Sequence, residues 1–359
     1  MKKKRRPPII SIGIILLALI SIVLAVISRS SASLSDFIDK NISSYLRLLV
    51  GRLTDWFSFS LFEVLIISIP LIILAVIILA IIFFKRGRGA AFLLRLCAFV
   101  ALIVTLYNFT TAISYHTTPV ADKMALDTSE NITSEDIAYT AQRVIEEIDY
   151  LTSRLNYLDG ESQMGYSLAE LSAKISEAYE ILNGEHFLFL DYTSVAKPIR
   201  GSGTMTAFRL SGIYTFYTGE ANINMAYPDY CLPFTVAHEL AHARGVMREN
   251  EANFIAFLVC ISSPDPFIRY SGYVNMLEYL VSALYRVDKD SYNELLDLID
   301  ERVISDIRAA SAVNKRYSNS FIGNTSNKLN DMYLKANGTE GTASYGMVTR
   351  LAVAYYKNN

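Results

Sequence analysis

The sequence predicts an α+β protein that is mostly helical, with three transmembrane helices in its N-terminal third and a small β-sheet in the folded remainder. Three long apolar runs lie before residue 114, and most of the chain after residue 134 has helical periodicity. Within that remainder, one short region is rich in Tyr, Ile and Thr and is bounded by glycines, as strands are. Hydrophobic residues make up 52% of the 359 residues, which exceeds the proportion typical of a soluble enzyme.

Each apolar run is long enough to cross the hydrocarbon core of a bilayer as an α-helix. The predicted spans are residues 8–27, 61–84 and 91–113, within a membrane domain of residues 1–114. The first run follows a basic start, as the apolar run of a signal peptide does, but it is long and lacks a small-residue cleavage site. We therefore expect an uncleaved anchor, and membrane lipid is one expected partner of the chain.

The distribution of basic residues predicts the orientation of the spans. Lys and Arg collect at the cytoplasmic ends of membrane helices, and here they form the stretch MKKKRR at the N-terminus and the stretch KRGRG at 85–89. The first span then leads out of the cytoplasm, the second returns and the third leads out again. Residues 115–359 are therefore expected to form an extracytoplasmic domain, although the reversed topology stays open.

The connection between the first two spans, residues 29–60, carries apolar residues at helical spacing. Two arrangements fit this pattern. The segment could be an amphipathic helix that lies against the outer membrane surface, or a helix that packs on the spans. The sequence does not favour either.

Charge and cysteine content argue against two classes of protein. Residues 1–100 hold 13 Lys and Arg against 4 Asp and Glu, which leaves 20 basic and 31 acidic residues for the rest of the chain. Phosphate binding needs a basic surface, so this acidic part argues against a nucleic-acid partner. The three cysteines, Cys97, Cys231 and Cys260, are too few for a disulfide framework, although Cys231 and Cys260 could pair in an oxidising compartment.

The part after the spans is predicted to contain helices, then a small strand region, then helices again. A helix begins at Ser134, which is its predicted N-cap, and a second runs from the N-cap Ser167 to a stop at Gly184. Strands are predicted over residues 186–192 and 205–224. Further helices are predicted over residues 235–245, 249–263, 271–287, 291–317 and 347–357.

The strongest chemical signal is an H-E-x-x-H motif made by His238, Glu239 and His242. Residues four apart share a helix face, so the two histidines are predicted to bind one metal ion, with zinc expected. Glu239 is placed to act as general base on a water that zinc activates. The alternative is a helix with two unrelated histidines, and the isolated His116 and His186 are expected to be structural.

A catalytic zinc needs a third protein ligand, and the sequence offers two candidates. One known arrangement places a histidine six residues after the motif, where this chain has Arg248, which cannot bind zinc. Glu249 is preferred, and Glu251 is the alternative. Asn253 lies one helical turn after Glu249, where it could hydrogen-bond a ligand histidine. Gly245 is expected to turn the chain sharply between the two helices.

These residues resemble the gluzincin pattern, in which a glutamate ligand is followed four residues later by Asp or Asn. The gap between His242 and Glu249 is short for that group. The three spans, with PFTVAHELAHARGVMRENEANFIAF, GIYTFYTGEANIN and YLKANGTEGTASYGMVTRLAVAYY after them, also resemble an uncharacterised bacterial family of membrane-anchored proteins with a predicted zincin domain. The resemblance covers most of the chain. It implies a metallopeptidase-like fold at the bacterial cell membrane, but no substrate.

A zincin fold implies further features of the site. An edge strand would lie over the site and bind the substrate peptide antiparallel, and residues 213–217 or 220–224 are the candidates. Tyr345 is the candidate donor to the transition-state oxyanion. Asn222 and Asn224 could bind the substrate backbone.

The leading functional prediction is a membrane-anchored zinc metalloendopeptidase that hydrolyses a peptide or protein substrate. The alternative is a non-catalytic metal-binding sensor or scaffold that binds a peptide or protein partner. An intact Glu239 favours the enzyme, because a structural metal site has no use for that residue. An intramembrane protease is disfavoured, since no apolar run of about 20 residues surrounds the motif.

Overall fold

A computed structural model describes residues 9–186, 188–190, 195–316, 321–339 and 347–358. These residues are mostly helical, with two small β-sheets, and three long apolar helices lie near the N-terminus. The predicted mostly helical fold with a small sheet is confirmed at this level.

Three helices are long and apolar enough to cross a membrane: α1 (Ile9–Ser28), α4 (Leu61–Lys85) and the continuous run Gly89–His116. The last run begins as α5 (Gly89–Tyr107) and continues through a π-helical turn at Asn108–Ala112 and a 3-10 turn. The ends of all three helices lie within three residues of the predicted spans. α5 packs on both other helices, so the three apolar helices form one group.

The connection between α1 and α4 is helical throughout most of its length. It consists of α2 (Ala32–Ile38), a π-helical turn (Asp39–Ser43) and α3 (Ser44–Thr54). Ile38 is buried against Phe109 and Ile113 of the third apolar helix, as expected for a segment that packs on the spans. The outer face of α3 exposes Leu49 and Leu53, with 55% and 63% of their surface accessible, so the segment is also amphipathic.

The described part of the chain after residue 116 contains eleven α-helices. They are α6 (Val120–Lys123), α7 (Ser134–Thr152), α8 (Leu168–His186), α9 (Ser202–Ala207), α10 (Cys231–Ala243), α11 (Glu249–Ser262), α12 (Pro266–Val287), α13 (Lys289–Leu296), α14 (Glu301–Lys315), α15 (Phe321–Ala336) and α16 (Met347–Asn358). Residues 252–260 of α11 are all buried, and α11 packs on α8, α10, α12 and α16. This helix therefore occupies the centre of the core.

Several predicted helix boundaries are wrong. α12 begins at Pro266 and not at residue 271, and the single helix predicted over residues 291–317 is two helices, α13 and α14. Thr133, not Ser134, caps α7, because Thr133 has an extended backbone and forms a capping box with Asp136. Gly184 does not end α8, which continues to His186. A glycine within a helix is tolerated when neighbouring packing holds that helix in place.

Five short strands form the two sheets. β1 (Asn156–Leu158) and β2 (Glu161–Gln163) make a hairpin, while β3 (Ala196–Ile199), β4 (Gly212–Thr215) and β5 (Glu220–Asn224) make a sheet in the order β3-β5-β4. β3 runs parallel to β5, and β4 runs antiparallel to it. β5 is central and buried at every position, so the expectation that residues 220–224 could be an edge strand is wrong. β3 and β4 are the two edge strands, and β4 contains part of the other candidate, residues 213–217.

The predicted strand region is only partly correct. Residues 188–190 form no strand, because the backbone N–H groups of Leu188 and Phe189 donate to the side chain of Asn183 instead of to a neighbouring strand. The predicted strand from residue 205 begins inside α9, and only β4 and β5 are extended. The remaining residues of the prediction over 186–192 either end α8 or lie outside the described residues.

A buried polar cluster joins the sheet to the start of α4. Lys197 of β3 and Glu220 of β5 form an ion pair, with Nζ 2.7 Å from Oε1 and both side chains buried. The Glu220 carboxylate also accepts hydrogen bonds from the backbone N–H groups of Leu61 (2.9 Å) and Phe62 (2.8 Å). The N-terminal end of a helix attracts negative charge, so this carboxylate stabilises the first turn of α4. The predicted membrane domain and the remainder are thus in direct contact.

Replacing Glu220 by Gln should lower the free energy of unfolding by about 3–5 kcal/mol, because the Lys197 ammonium would stay buried without its carboxylate. The double variant Lys197→Met, Glu220→Gln should lose less, since it leaves no unpaired ion. Thermal unfolding of the detergent-solubilised chain measures both effects. Arg143→Gln, which breaks an exposed ion pair, should hardly change the midpoint. A Glu220→Gln chain as stable as the wild type would contradict this account.

Candidate metal centre

Three side chains on two consecutive helices converge on one point. His238 and His242 lie one turn apart on α10, and Glu249 is the first residue of α11. The Glu249 carboxylate lies 3.4 Å from His238 Nε2 and 3.7 Å from His242 Nε2. One ligand atom from each residue lies within 4.8 Å of the others, so the three could hold a metal ion. The structure therefore brings together the two motif histidines and the preferred third residue.

A glycine turn brings Glu249 back towards the histidines. Gly245 has a φ of +99°, a left-handed conformation that glycine adopts without strain. The guanidinium of Arg47 packs against this turn, and a Cβ at Gly245 would lie 2.3 Å from Arg47 Nη2. Arg47 is itself held by the Asp39 carboxylate (2.9 Å) and by the carbonyl of Thr110 (3.2 Å). The sharp turn expected at Gly245 is confirmed. Arg47, which packs against this turn, comes from the connection between α1 and α4.

A backbone carbonyl orients the His242 ring, and Asn253 lies close to His238. His242 Nδ1 lies 2.7 Å from the carbonyl of Val246, which can only accept a hydrogen bond. This contact selects the tautomer protonated on Nδ1 and leaves the lone pair of Nε2 on the side of Glu249. Asn253 is buried one turn after Glu249, and its side chain interacts with His238. Asn253 thus lies where a group that positions a ligand histidine is expected.

Burial and nearby charge shift the pKa values of the ionisable groups. Burial raises the pKa of the Glu239 carboxyl to about 7, although the charge of His238 opposes this shift. Burial lowers the pKa of His242 to about 4, so this ring is neutral at physiological pH, as a metal ligand must be. Burial also lowers the pKa of His238, but hydrogen bonding and charge from Glu249 outweigh that effect and raise it above its usual value.

Glu239 lies against the edge strand β4. A Cβ at Gly212 would be 2.5 Å from Glu239 Oε1, so only glycine fits at this position of the strand. The carboxylate also forms a hydrogen bond with the backbone of Tyr214. Its Oε2 is buried and has no partner within the described part of the chain. A buried oxygen without a donor is available to a water or a reacting group, because such atoms are seldom left unpaired.

A cavity of about 690 Å³ adjoins these residues. One wall consists of β4 and its flanking residues, and another consists of α10, α12 and α14. Phe62, in the first turn of α4, and Tyr107, the last residue of α5, also line the cavity, as do residues of α11 and α15. The volume lies within the range of small-molecule and peptide sites. The cavity is therefore enclosed partly by the apolar helices and partly by the sheet.

Three predicted site residues lie elsewhere. The Glu251 carboxylate forms an ion pair with Arg248 at 2.6 Å and accepts a hydrogen bond from the backbone N–H of Val120. These two contacts already engage the carboxylate. The alternative ligand is thus not part of the cluster. Asn222 and Asn224 are fully buried in the sheet and do not line the cavity. The suggestion that they bind a substrate backbone is wrong, because neighbouring side chains and the backbone already use their amides.

The outcome for the other predicted residues is mixed. Tyr345 lies outside the described residues, so its role as oxyanion donor stays a prediction. His116 and His186 are not in the metal cluster. Cys231 and Cys260 are free thiols, so the disulfide between them is not formed.

Sequence reasoning missed three residues that shape the site. Gly212 and Tyr214 position Glu239, and their only signal is a glycine at the start of a Tyr- and Ile-rich strand. Arg47 supports the Gly245 turn, and its only signal is a basic residue within the largely apolar segment SYLRLLV. Neither signal indicates which distant residue is contacted.

Gly245→Ala should reduce stability by roughly 1–3 kcal/mol, because alanine at positive φ is strained and its Cβ would displace Arg47. The control is Gly184→Ala, where a Cβ meets nothing within 4 Å and alanine favours the helix. The unfolding midpoint should fall in the first variant and stay level or rise in the second. Equal midpoints in the two variants would show that the turn does not depend on glycine.

Comparisons with known proteins give a family but no activity. No curated protein and no solved structure matches the chain. A family model described as protein of unknown function (DUF3810) matches residues 36–353, which is most of the chain. The expectation of an uncharacterised family is confirmed, whereas its zincin part stays a prediction. The chain therefore belongs to the DUF3810 family.

Proposed function

We propose that this protein is a membrane-anchored, zinc-dependent metalloendopeptidase. The observation that carries the proposal is the convergence of His238, His242 and Glu249, with Glu239 between the two histidines in sequence and against an edge strand in space. A structural metal site would not need a buried carboxylate with an unpaired oxygen beside it. Hydrolysis of a peptide bond makes use of every one of these groups.

The donor set suits zinc. Two imidazoles and one carboxylate are a known ligand set of catalytic zinc, in which the fourth position is left for water or substrate. Ligand atoms of a tetrahedral zinc site lie roughly 3.3 Å apart. His238 Nε2 lies 3.4 Å from Oε2 of Glu249 and His242 Nε2 lies 3.7 Å from Oε1, so each histidine has one carboxylate oxygen close to this separation. The neutral His242, with Nε2 unprotonated, is in the form that coordinates.

Each remaining group has a role in hydrolysis. Zinc, when bound, would polarise the scissile carbonyl and lower the pKa of water to about 7. Glu239 takes the proton of the attacking water on Oε2 and passes it to the leaving amine. β4 pairs with β5 along one edge, and β4 also lines the cavity, so its other edge can align an extended substrate by strand pairing.

The three apolar helices make the protein a multi-pass membrane protein in this proposal. The basic stretches before α1 and between α4 and α5 favour the cytoplasmic side, which places the cavity outside the cytoplasm. Reporter fusions after residue 120 and within residues 85–89 should report opposite sides of the membrane. A cytoplasmic signal after residue 120 would reverse the orientation and leave the chemistry unchanged.

The full chain, purified in detergent, should contain about one zinc per molecule by elemental analysis. His238→Ala and Glu249→Gln should lose the metal, because each removes one of three ligands. Glu251→Gln is the matched control, since the same change two residues away affects only the contacts with Arg248 and with the backbone N–H of Val120, outside the metal cluster. Circular dichroism verifies that each variant is folded. A well-folded wild type that binds no zinc even when zinc is supplied would refute the proposal.

Glu239→Gln should keep the zinc and reduce hydrolysis of a peptide library by at least about a hundredfold, because a general base is lost. Gly212→Ala should also reduce kcat, since the added Cβ displaces the Glu239 carboxylate. Gly165→Ala, at which a Cβ meets nothing within 4 Å, is the control. Mass spectrometry of the cleaved library measures all three. Hydrolysis that survives in Glu239→Gln would contradict its role, and zinc without any hydrolysis in the wild type would favour the sensor or scaffold.

A further inference from the structure

The cavity continues beyond the N-terminal end of α10. Tyr227 and Tyr230 precede that helix, Asn275 and Glu278 come from α12, and Asn314 comes from α14. These five residues are termed the Glu278 subsite. They belong to the same cavity as the metal cluster but contribute nothing to the three metal-ligand positions.

Glu278 is an acidic group without a basic partner. Its side chain is accessible from the cavity and accepts a hydrogen bond from the hydroxyl of Tyr230 at 3.2 Å. No Lys, Arg or His among the described residues forms an ion pair with it, and the undescribed residues after His186 contain no Lys or Arg. A carboxylate in this setting is stabilised in its charged form by a cation that enters the cavity.

Glu278 is the carboxylate of the lining that lies outside the H-E-x-x-H motif and the metal cluster. Glu239, Glu249 and Glu278 all line the cavity, and Arg209 is the one Lys or Arg among the described lining residues. A bound Zn²⁺ ion would offset the charges of Glu239 and Glu249, and Glu278 remains as the carboxylate of the lining with which a cationic side chain can pair. The partly exposed ring of Tyr227 adds a surface against which a cation can lie.

We propose that the Glu278 subsite binds the side chain of a lysine or arginine in the substrate, within about three residues of the scissile bond. This inference rests on the proposed peptidase function and adds the class of substrate. Seven residues separate Cys231, beside the subsite, from His238, which corresponds to roughly 10 Å along α10. An extended peptide advances about 3.3 Å per residue, so roughly three residues bridge this distance. Because a long basic side chain covers part of this distance, fewer residues are needed to bridge it.

A peptide library of random sequence, digested by the zinc-loaded full chain in detergent, tests this specificity. Wild-type cleavage sites should be enriched about tenfold or more in Lys and Arg at one fixed position, as expected for a charged hydrogen bond. Glu278→Gln keeps the shape of the side chain and should lose the enrichment. Glu278→Lys should shift the preference at that position towards Asp and Glu. Metal content by elemental analysis shows that both variants keep an intact metal cluster.

The preference is also measured without turnover. Library peptides retained by the zinc-loaded Glu239→Gln chain should be rich in Lys and Arg, and those retained by the double variant Glu239→Gln, Glu278→Gln should not. A wild type without a basic preference, or a preference that survives in Glu278→Gln, overturns the inference and leaves the peptidase function standing. Failure of the peptidase function appears differently, as cleavage that is absent or independent of Glu239. The retained peptides then still decide whether Glu278 selects basic residues.

Discussion

The contact between Arg47 and the turn at Gly245 is the constraint on which the metal cluster depends. The histidines share one helix, so helical geometry alone places them together, but Glu249 begins the next helix and must be brought back over a very short connection. A left-handed glycine makes that return possible, and the Arg47 guanidinium occupies the space that a side chain at Gly245 would need. Arg47 is tied to Thr110 of the third apolar helix. The position of Glu249 is therefore supported by the third apolar helix and by the segment between α1 and α4.

The position of Glu239 depends on a second connection to the same helices. Glu220 joins the central strand β5 to the first turn of α4, and β4 pairs with β5. Gly212, at the start of β4, then lies directly against the Glu239 carboxylate. The ligand Glu249 and the candidate general base are thus positioned by two separate routes, one through α3 and one through α4.

The sequence predicts well those features that follow from local periodicity. The apolar helices and the histidine pair on α10 depend on spacing within one segment, and both agree with the structure. Features that depend on distant contacts were not predictable in the same way. Arg248 forms an ion pair with Glu251, which leaves Glu249 as the candidate ligand. The pairing of β5 with β3 makes β5 the central strand. Thr133 replaces Ser134 as a cap because two adjacent hydroxyl residues both fit the pattern.

These contacts give the apolar helices a structural role in addition to the membrane anchoring that we propose for them. A fragment that began after the third apolar helix would retain His238, His242 and Glu249, but it would lack Arg47 beneath the turn between them. It would also lose the backbone N–H groups that share the Glu220 carboxylate, as well as Phe62 and part of the cavity wall. A buried carboxylate deprived of donors is costly. If the helices cross the bilayer as proposed, the cavity lies at the bilayer surface, because Phe62 lines the cavity and is in the first turn of α4. A substrate must then reach the site at that surface.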